Sequence, residues 1–313
     1  MSTVEAPASV QARAEADSSG VDWPALAAAG VAIVLWASAF VGIRAVAPEL
    51  SPGGLAVGRV GVGALALGLV VAAKRPRWPE RRWLPSIIVA GTLWYGLYNI
   101  TLNTGERYVD AGTAAMLVNV GPLLIALFGG LFLREGFPPR LWAGLAVAFA
   151  GAVTIGLASS GGGAPANAVL GIALCLLSAL LYAAGVTIQK PVVAHVPVLM
   201  VTWLLVLVGF IACLPFAPDL VRDLATASPT SIAWMIYLGL FPTAIGFTAW
   251  AFALNRMTAG RLGSTTYLIP VVAIVMAWLI LGEAPATLAL VGGALAIAGV
   301  AVARSRPRSA ARA

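Results

Sequence analysis

Residues 111–136 read "AGTAAMLVNVGPLLIALFGGLFLREG", and residues 259–284 read "AGRLGSTTYLIPVVAIVMAWLILGEA". Each is an apolar run of helical length with a proline inside it and a glutamate near its end. At a shift of 148, residues 109–155 lie over 257–303 without a gap and agree at 11 of 47 positions. Ala111 and Gly112 meet Ala259 and Gly260, Pro122 meets Pro270, and Glu135 meets Glu283. Apolar sequence of low complexity gives some matches by chance. A proline and a glutamate held in one register are harder to obtain that way. A weaker echo at a shift of 146 sets Trp36 against Tyr182, Ala37 against Ala183 and Arg44 against Lys190.

The composition says what surrounds these runs. Hydrophobic residues make up 60% of the chain and charged residues only 10%. Soluble domains are about half apolar and about a quarter charged, so this chain has too few charges to cover a wet surface. The runs approach the roughly 20 residues that a helix needs to cross a bilayer. They are too long for the strands of a membrane barrel. The net charge of +7 does not point to nucleic acid, because the basic residues sit in short loops and at the C-terminus. Cys175 and Cys213 fall inside apolar runs, where buried free thiols are expected.

The runs predict an all-α polytopic protein of ten helices, at about 24–46, 54–73, 84–104, 111–133, 140–158, 168–189, 198–217, 231–254, 259–281 and 286–303. Polar breaks such as "KRPRWPERR" (74–82), "SSGGGAPAN" (159–167) and "APDLVRDLATASPT" (217–230) separate them. Ten spans place both termini on one side. If that side is the cytoplasm, it holds 15 of the 19 Lys and Arg, and the outer side holds Arg44, Arg107 and Arg222. Arg59 lies within the second span. This is the positive-inside distribution. The domain reading follows: a disordered tail over 1–22, a five-helix repeat over 23–158, a linker over 159–167, a second repeat over 168–303 and a basic tail over 304–313. Five spans per repeat force the second copy to insert upside down, an arrangement typical of secondary transporters.

The sequence resembles the drug/metabolite transporter superfamily, in particular its ten-helix EamA-type family. The resemblance rests on "LWASAF" (35–40), the two quoted segments and "GGALAIAGVAVA" (292–303). It departs at Arg134, where the second copy has Gly282. The resemblance implies ten helices around a central cavity, a place in the bacterial inner membrane, and export of amino acids or related metabolites. It implies no particular substrate.

The chemistry is sparse. Pro122 leaves the carbonyl of Val118 without its helical donor, and Pro270 does the same for Thr266. These kinks either shape the cavity and flex, or are fixed for packing. Thirteen residues of helix set Glu135 roughly 20 Å beyond Pro122, more than the ~15 Å half-thickness of the core. Glu135 and Glu283 therefore read as interfacial acids that serve structure by complementing the following helix, with an ion-coupling role as the alternative. Glu49, Glu106, Asp110, Asp219 and Asp223 are expected in outer loops or at their edges, and His195 in a solvated loop.

Candidates for lining the cavity are polar or aromatic groups within spans. Tyr95, Asn99 and Asn103 share one face of the third span, bordered by Tyr98. Asn119, Ser178, Tyr182, Gln189 and Tyr267 add similar groups. The other reading of such residues is hydrogen bonding between helices. Arg59 either binds a substrate carboxylate or snorkels to the interface and pairs locally. Trp36, Trp203, Trp250 and Trp278 are candidates for a pocket wall, while Trp78, Trp83, Trp142 and Trp234 fit an interfacial belt. The glycine-rich stretches serve helix packing and form no phosphate loop. No metal motif, nucleophile with a histidine base or paired mid-membrane acid is found, so neither cofactor nor enzyme activity is expected. The expected partners are the bilayer and a small solute, with no nucleic acid. The oligomeric state stays open, and a monomer is compatible with the sequence. A passive channel or membrane scaffold is the alternative to a carrier.

Overall fold

A computed structural model describes residues 22–132, 167–256 and 265–304, with short pieces between 142 and 154. Glu135 and Arg134, most of the expected fifth span and both tails lie outside the described residues. So does the 159–166 part of the linker.

The described residues are helical and contain no strand. In chain order the helices are α1 (Trp23–Val46), α2 (Pro52–Lys74), α3 (Leu84–Gly91), α4 (Tyr98–Gly105), α5 (Ala111–Val118), α6 (Gly121–Phe132), α7 (Ala168–Val193), α8 (Val198–Cys213), α9 (Ala217–Thr226), α10 (Pro229–Leu238), α11 (Phe247–Arg256), α12 (Leu268–Leu281) and α13 (Thr287–Arg304). Two 3-10 turns, Arg81–Trp83 and Leu214–Phe216, and two π-helical segments accompany them: Thr92–Leu97 joins α3 to α4, and Gly239–Gly246 joins α10 to α11. Six helical stretches are long and apolar enough to cross a membrane, and two shorter apolar helices accompany them. This is a polytopic membrane protein.

Local chemistry explains the helix starts. Asp22 accepts from the amide of Ala25 at 3.0 Å, Ser51 from Gly54 at 3.1 Å, Asp110 from Thr113 at 2.8 Å and Ser228 from Ser231 at 3.2 Å. Each satisfies an amide that the first turn leaves free. In α1, α2 and α10 a proline occupies the first turn, where its missing N–H costs nothing. Residues 217–230, read from sequence as a break, instead hold the short helix α9, which packs on α2. Its apolar residues recur at helical spacing within a polar stretch, which the span count passes over.

The packing is reciprocal. Helix α1 packs on α10, α11 and α12 of the second half, while α7 packs on α3, α4, α5 and α6 of the first. Helices α2 and α8 pack on each other, as do α5 and α12. One end of the bundle is laced by contacts between distant parts of the chain. Arg44 pairs with Glu283 at 2.9 Å and donates to the Glu106 carbonyl at 2.9 Å. Arg107 donates to the Ala47 carbonyl at 2.8 Å, and Asp223 accepts from the Ser51 hydroxyl at 2.6 Å.

Candidate functional site: a central cavity

The helices that carry the two prolines are broken rather than smoothly kinked. Helix α5 ends at Val118 and α6 begins at Gly121, just before Pro122. In the second half, turn residues Thr266 and Tyr267 precede α12 and Pro270. The Thr266 carbonyl, which Pro270 cannot bond, accepts from the Ile269 amide at 3.0 Å. Irregular backbone at such a depth is tolerated where it is buried in protein or lines a cavity. Here it lines one: Val118, Asn119 and Pro122 border a central cavity, as do Thr266 and Ile269. About 110 Å³ of it is open to the centres of water molecules, room for a small organic solute.

The π segments build the wall between these breaks. Each widens its helix by an extra residue per turn, and π-bulges are frequent at functional sites. At the repeat shift of 148, Trp94 and Tyr95 fall on Pro242 and Thr243, and all four line the cavity. Thr243 donates to the Leu238 carbonyl at 2.9 Å. Trp36, on α1, donates its indole N–H to the Pro242 carbonyl at 3.2 Å. The rings then join. Phe247 lies 5.2 Å from Trp36, 5.4 Å from Trp94 and 5.2 Å from Tyr95. Tyr182 lies 5.4 Å from Trp94 and 6.4 Å from Tyr98. The result is a continuous aromatic wall drawn from both halves. Gly121 lets Tyr182 approach, since a Cβ there would meet the ring at 2.5 Å.

Of the residues singled out from sequence, Trp36, Arg59, Tyr95, Tyr98, Asn99, Asn119, Tyr182 and Pro122 line this cavity. Asn103, Ser178, Trp203, Trp250, Tyr267 and Pro270 do not. Most of these hold helices together or back the wall. Asn103 donates to the Pro52 carbonyl at 3.0 Å, and Ser178 shares a hydrogen bond with Thr101 at 2.7 Å. Trp203 donates to the Ala64 carbonyl at 3.1 Å. Trp250 stands behind Trp36 at 4.9 Å. Tyr267 begins α12 beside the lining residue Thr266, and Pro270 is buried in its first turn. Trp278 is 62% exposed and faces away from the bundle. His195 stacks on Trp83 at 4.8 Å.

Two charged residues sit deeper than sequence suggested. Arg59 is 6% exposed, its Nε and Nη1 have no hydrogen-bond partner, and it lines the cavity. It does not snorkel, because it starts about 10 Å inside α2 with other helices packed around it. Glu106, expected at an outer edge, is 0% exposed and both its carboxylate oxygens lack a hydrogen-bond partner. It caps the end of α4, and its neighbour Arg107 donates to the Ala47 and Leu50 carbonyls. Glu283 pairs with Arg44 rather than with the start of the following helix. Gly282 takes φ 68°, and the Glu283 amide bonds the Ala277 carbonyl at 3.3 Å. That turn needs a residue tolerant of positive φ and closes the helix end.

Sequence reasoning passed over Trp94, Phe247, Thr243 and Pro242. Their signal was positional, as all fall in the third helix of a repeat or its copy. The described residues contain no cluster of metal-ligating side chains.

A sequence model of the EamA-like transporter family matches the chain twice, over residues 23–157 and 169–305. A probable terminal-alkyne amino-acid exporter of Streptantibioticus cattleyicolor is 37% identical over 86% of this chain and 89% of its own. A probable amino-acid metabolite efflux pump of Salmonella typhimurium is 27% identical over 86% of this chain and 90% of its own. A solved crystal structure shares the fold, with a TM-score of 0.59 at 21% identity over 89% of this chain and 96% of that one. With both halves matched by one family and a relative of this identity along most of its length, the chain belongs to the EamA-like transporter family.

Proposed function

We propose that this protein is a secondary transporter of the bacterial inner membrane that exports amino acids or related small metabolites by alternating access. The observation that carries the proposal is the cavity, walled by helices of both halves and lined by aromatic rings with a few polar groups. Pockets for small solutes have that character. The names of the two relatives, an amino-acid exporter and an amino-acid metabolite efflux pump, favour amino acids.

Residues 23–158 and 168–303 form two five-helix repeats of opposite orientation in this proposal. The double family match and the reciprocal packing support it. Both termini are cytoplasmic, in keeping with the basic loops. Trp36, Arg59, Tyr95, Asn99, Asn119 and Tyr182 contact substrate, and Pro122 and Pro270 set the breaks that let the halves move. Glu135 and Glu283 serve structure.

Counterflow tests this reading against a passive channel. Purified protein in liposomes is loaded with one unlabelled L-amino acid at a time, from a panel that includes propargylglycine. Uptake of the same labelled amino acid is then followed. A carrier gives a transient, saturable overshoot for at least one member. Uptake that never exceeds equilibrium, or never saturates, across the panel sinks the proposal.

A further inference from the structure

Three side chains that line the cavity leave buried polar atoms unmet. Arg59 leaves Nε and Nη1, most of the guanidinium's N–H donors. Asn119 leaves Nδ2, another donor. Asn99 leaves Oδ1, an acceptor, because its Nδ2 is spent on the Tyr95 carbonyl at 2.8 Å. Buried polar groups in native proteins are satisfied with few exceptions, and each exception calls for a reason. A buried cation without hydrogen bonds is the costlier case. Glu106, the buried acid at the end of α4, makes no hydrogen bond to Arg59.

The pattern has a polarity. Donors with positive charge, an acceptor without charge and an apolar aromatic wall share one cavity. A carboxylate fits the donors, since charged acceptors make the strongest bonds with guanidinium. An ammonium fits the amide oxygen. The wall of Trp36, Trp94, Tyr95, Tyr182 and Phe247 offers an apolar or unsaturated side chain a broad aromatic surface to pack on.

We infer that the cavity binds the zwitterionic head of an α-amino acid with an apolar side chain: Arg59, helped by Asn119, holds the carboxylate and Asn99 Oδ1 takes the ammonium. This rests on the amino-acid reading above and deepens it by naming which groups read which end of the solute. The solute supplies the acceptors and donor that the protein lacks at these atoms. Strongly polar side chains are disfavoured because the wall presents mainly aromatic ring surface.

The test uses the full chain in detergent and three probes of one carbon skeleton: L-leucine, L-leucinamide and 4-methylpentanoate. Binding is read by quenching of tryptophan fluorescence, to which Trp36 and Trp94 contribute. The unsubstituted protein needs no mutation for the first comparison. Leucine is expected to bind about 10- to 100-fold tighter than leucinamide, the range for losing a charge-assisted pair. Equal binding of the two overturns the inference. Arg59→Gln is expected to remove that preference, and Arg59→Lys to restore part of it. Asn99→Leu is expected to weaken leucine several-fold while leaving 4-methylpentanoate unchanged. An Arg59→Gln protein that still prefers the acid overturns the assignment of Arg59. If leucine fails to bind but 4-methylpentanoate binds in an Arg59-dependent way, the carboxylate anchor stands and the amino-acid reading falls. If neither binds, the anchor falls even where counterflow finds another substrate.

Discussion

Phe247 touches rings from α1 and from the Thr92–Leu97 segment, so one side chain of the second half ties together aromatic residues of the first. Trp203 is larger, yet its indole N–H is spent on Ala64 and it lies off the cavity. Residue type alone does not separate the two; position does. Phe247→Leu keeps most of the volume but loses the ring contacts, each worth about 0.5–1.5 kcal/mol. Its half-saturation concentration in counterflow is expected to rise about threefold to tenfold. Trp203→Phe loses one hydrogen bond, about 1 kcal/mol of stability, and is expected to leave that concentration unchanged. Equal shifts in the two variants contradict the assigned wall. The same logic explains the polar candidates. Asn99 and Asn103 stand four residues apart on one helix, but a π turn above and the Pro52 carbonyl beside them send only Asn99 to the cavity.

Elements are held in place by groups at their ends, and one of these titrates. Glu49 accepts from the amide of Ser228 at 2.7 Å and from its hydroxyl at 3.1 Å, fastening the α1–α2 turn to the start of α10. These bonds hold its carboxyl below the usual value of 4.5, the Ser228 amide acting most strongly. A carboxyl whose folded value is depressed adds stability above its unfolded value and loses it as pH falls through the folded one. The contribution of Glu49 is therefore full above pH 4.5 and fades below it. Thermal melts of the protein and of Glu49→Gln are expected to converge as pH is lowered through that range. Parallel curves would show that the contact does not matter.

Much at this scale was legible in the sequence. The apolar runs set where helices lie, and Asp110, read as an acid at the edge of an outer loop, stands at the start of α5, where it caps the helix. The π segments were not legible. No residue pattern distinguishes an i→i+5 turn from an α turn when neighbouring helices impose it, and Pro242 alone does not announce one. Helix α9 was missed for a related reason. A ten-residue amphipathic helix is short against the apolar runs beside it, and the scale that finds spans hides it.

Across the whole molecule, the repeat shift of 148 explains more than sequence similarity. It brings the two π segments into register and pairs the two broken helices, while the echo at 146 relates α1 and α7, whose packing is reciprocal. What it could not reveal is the depth of Arg59 and Glu106, which depends on how helices of one half cover those of the other. At the end where Glu283 pairs with Arg44, the same guanidinium also donates to the backbone carbonyl of Glu106. The Arg44–Glu283 pair lies at the laced end and joins the first helix to the turn after α12. Both side chains are about 30% exposed, where solvent screening leaves an ion pair little net worth. A weak, accessible contact between halves suits a closure that must break and re-form. Under alternating access this end opens once per cycle, so fixing it shut must stop transport. With Arg44→Cys and Glu283→Cys together, a short cleavable thiol cross-linker is expected to abolish counterflow, and reduction to restore it. Cys175 and Cys213 are buried, and either single variant treated with the same reagent gives the control. Counterflow that continues through a complete cross-link would mean that this end never opens, and the proposed alternation would fail there.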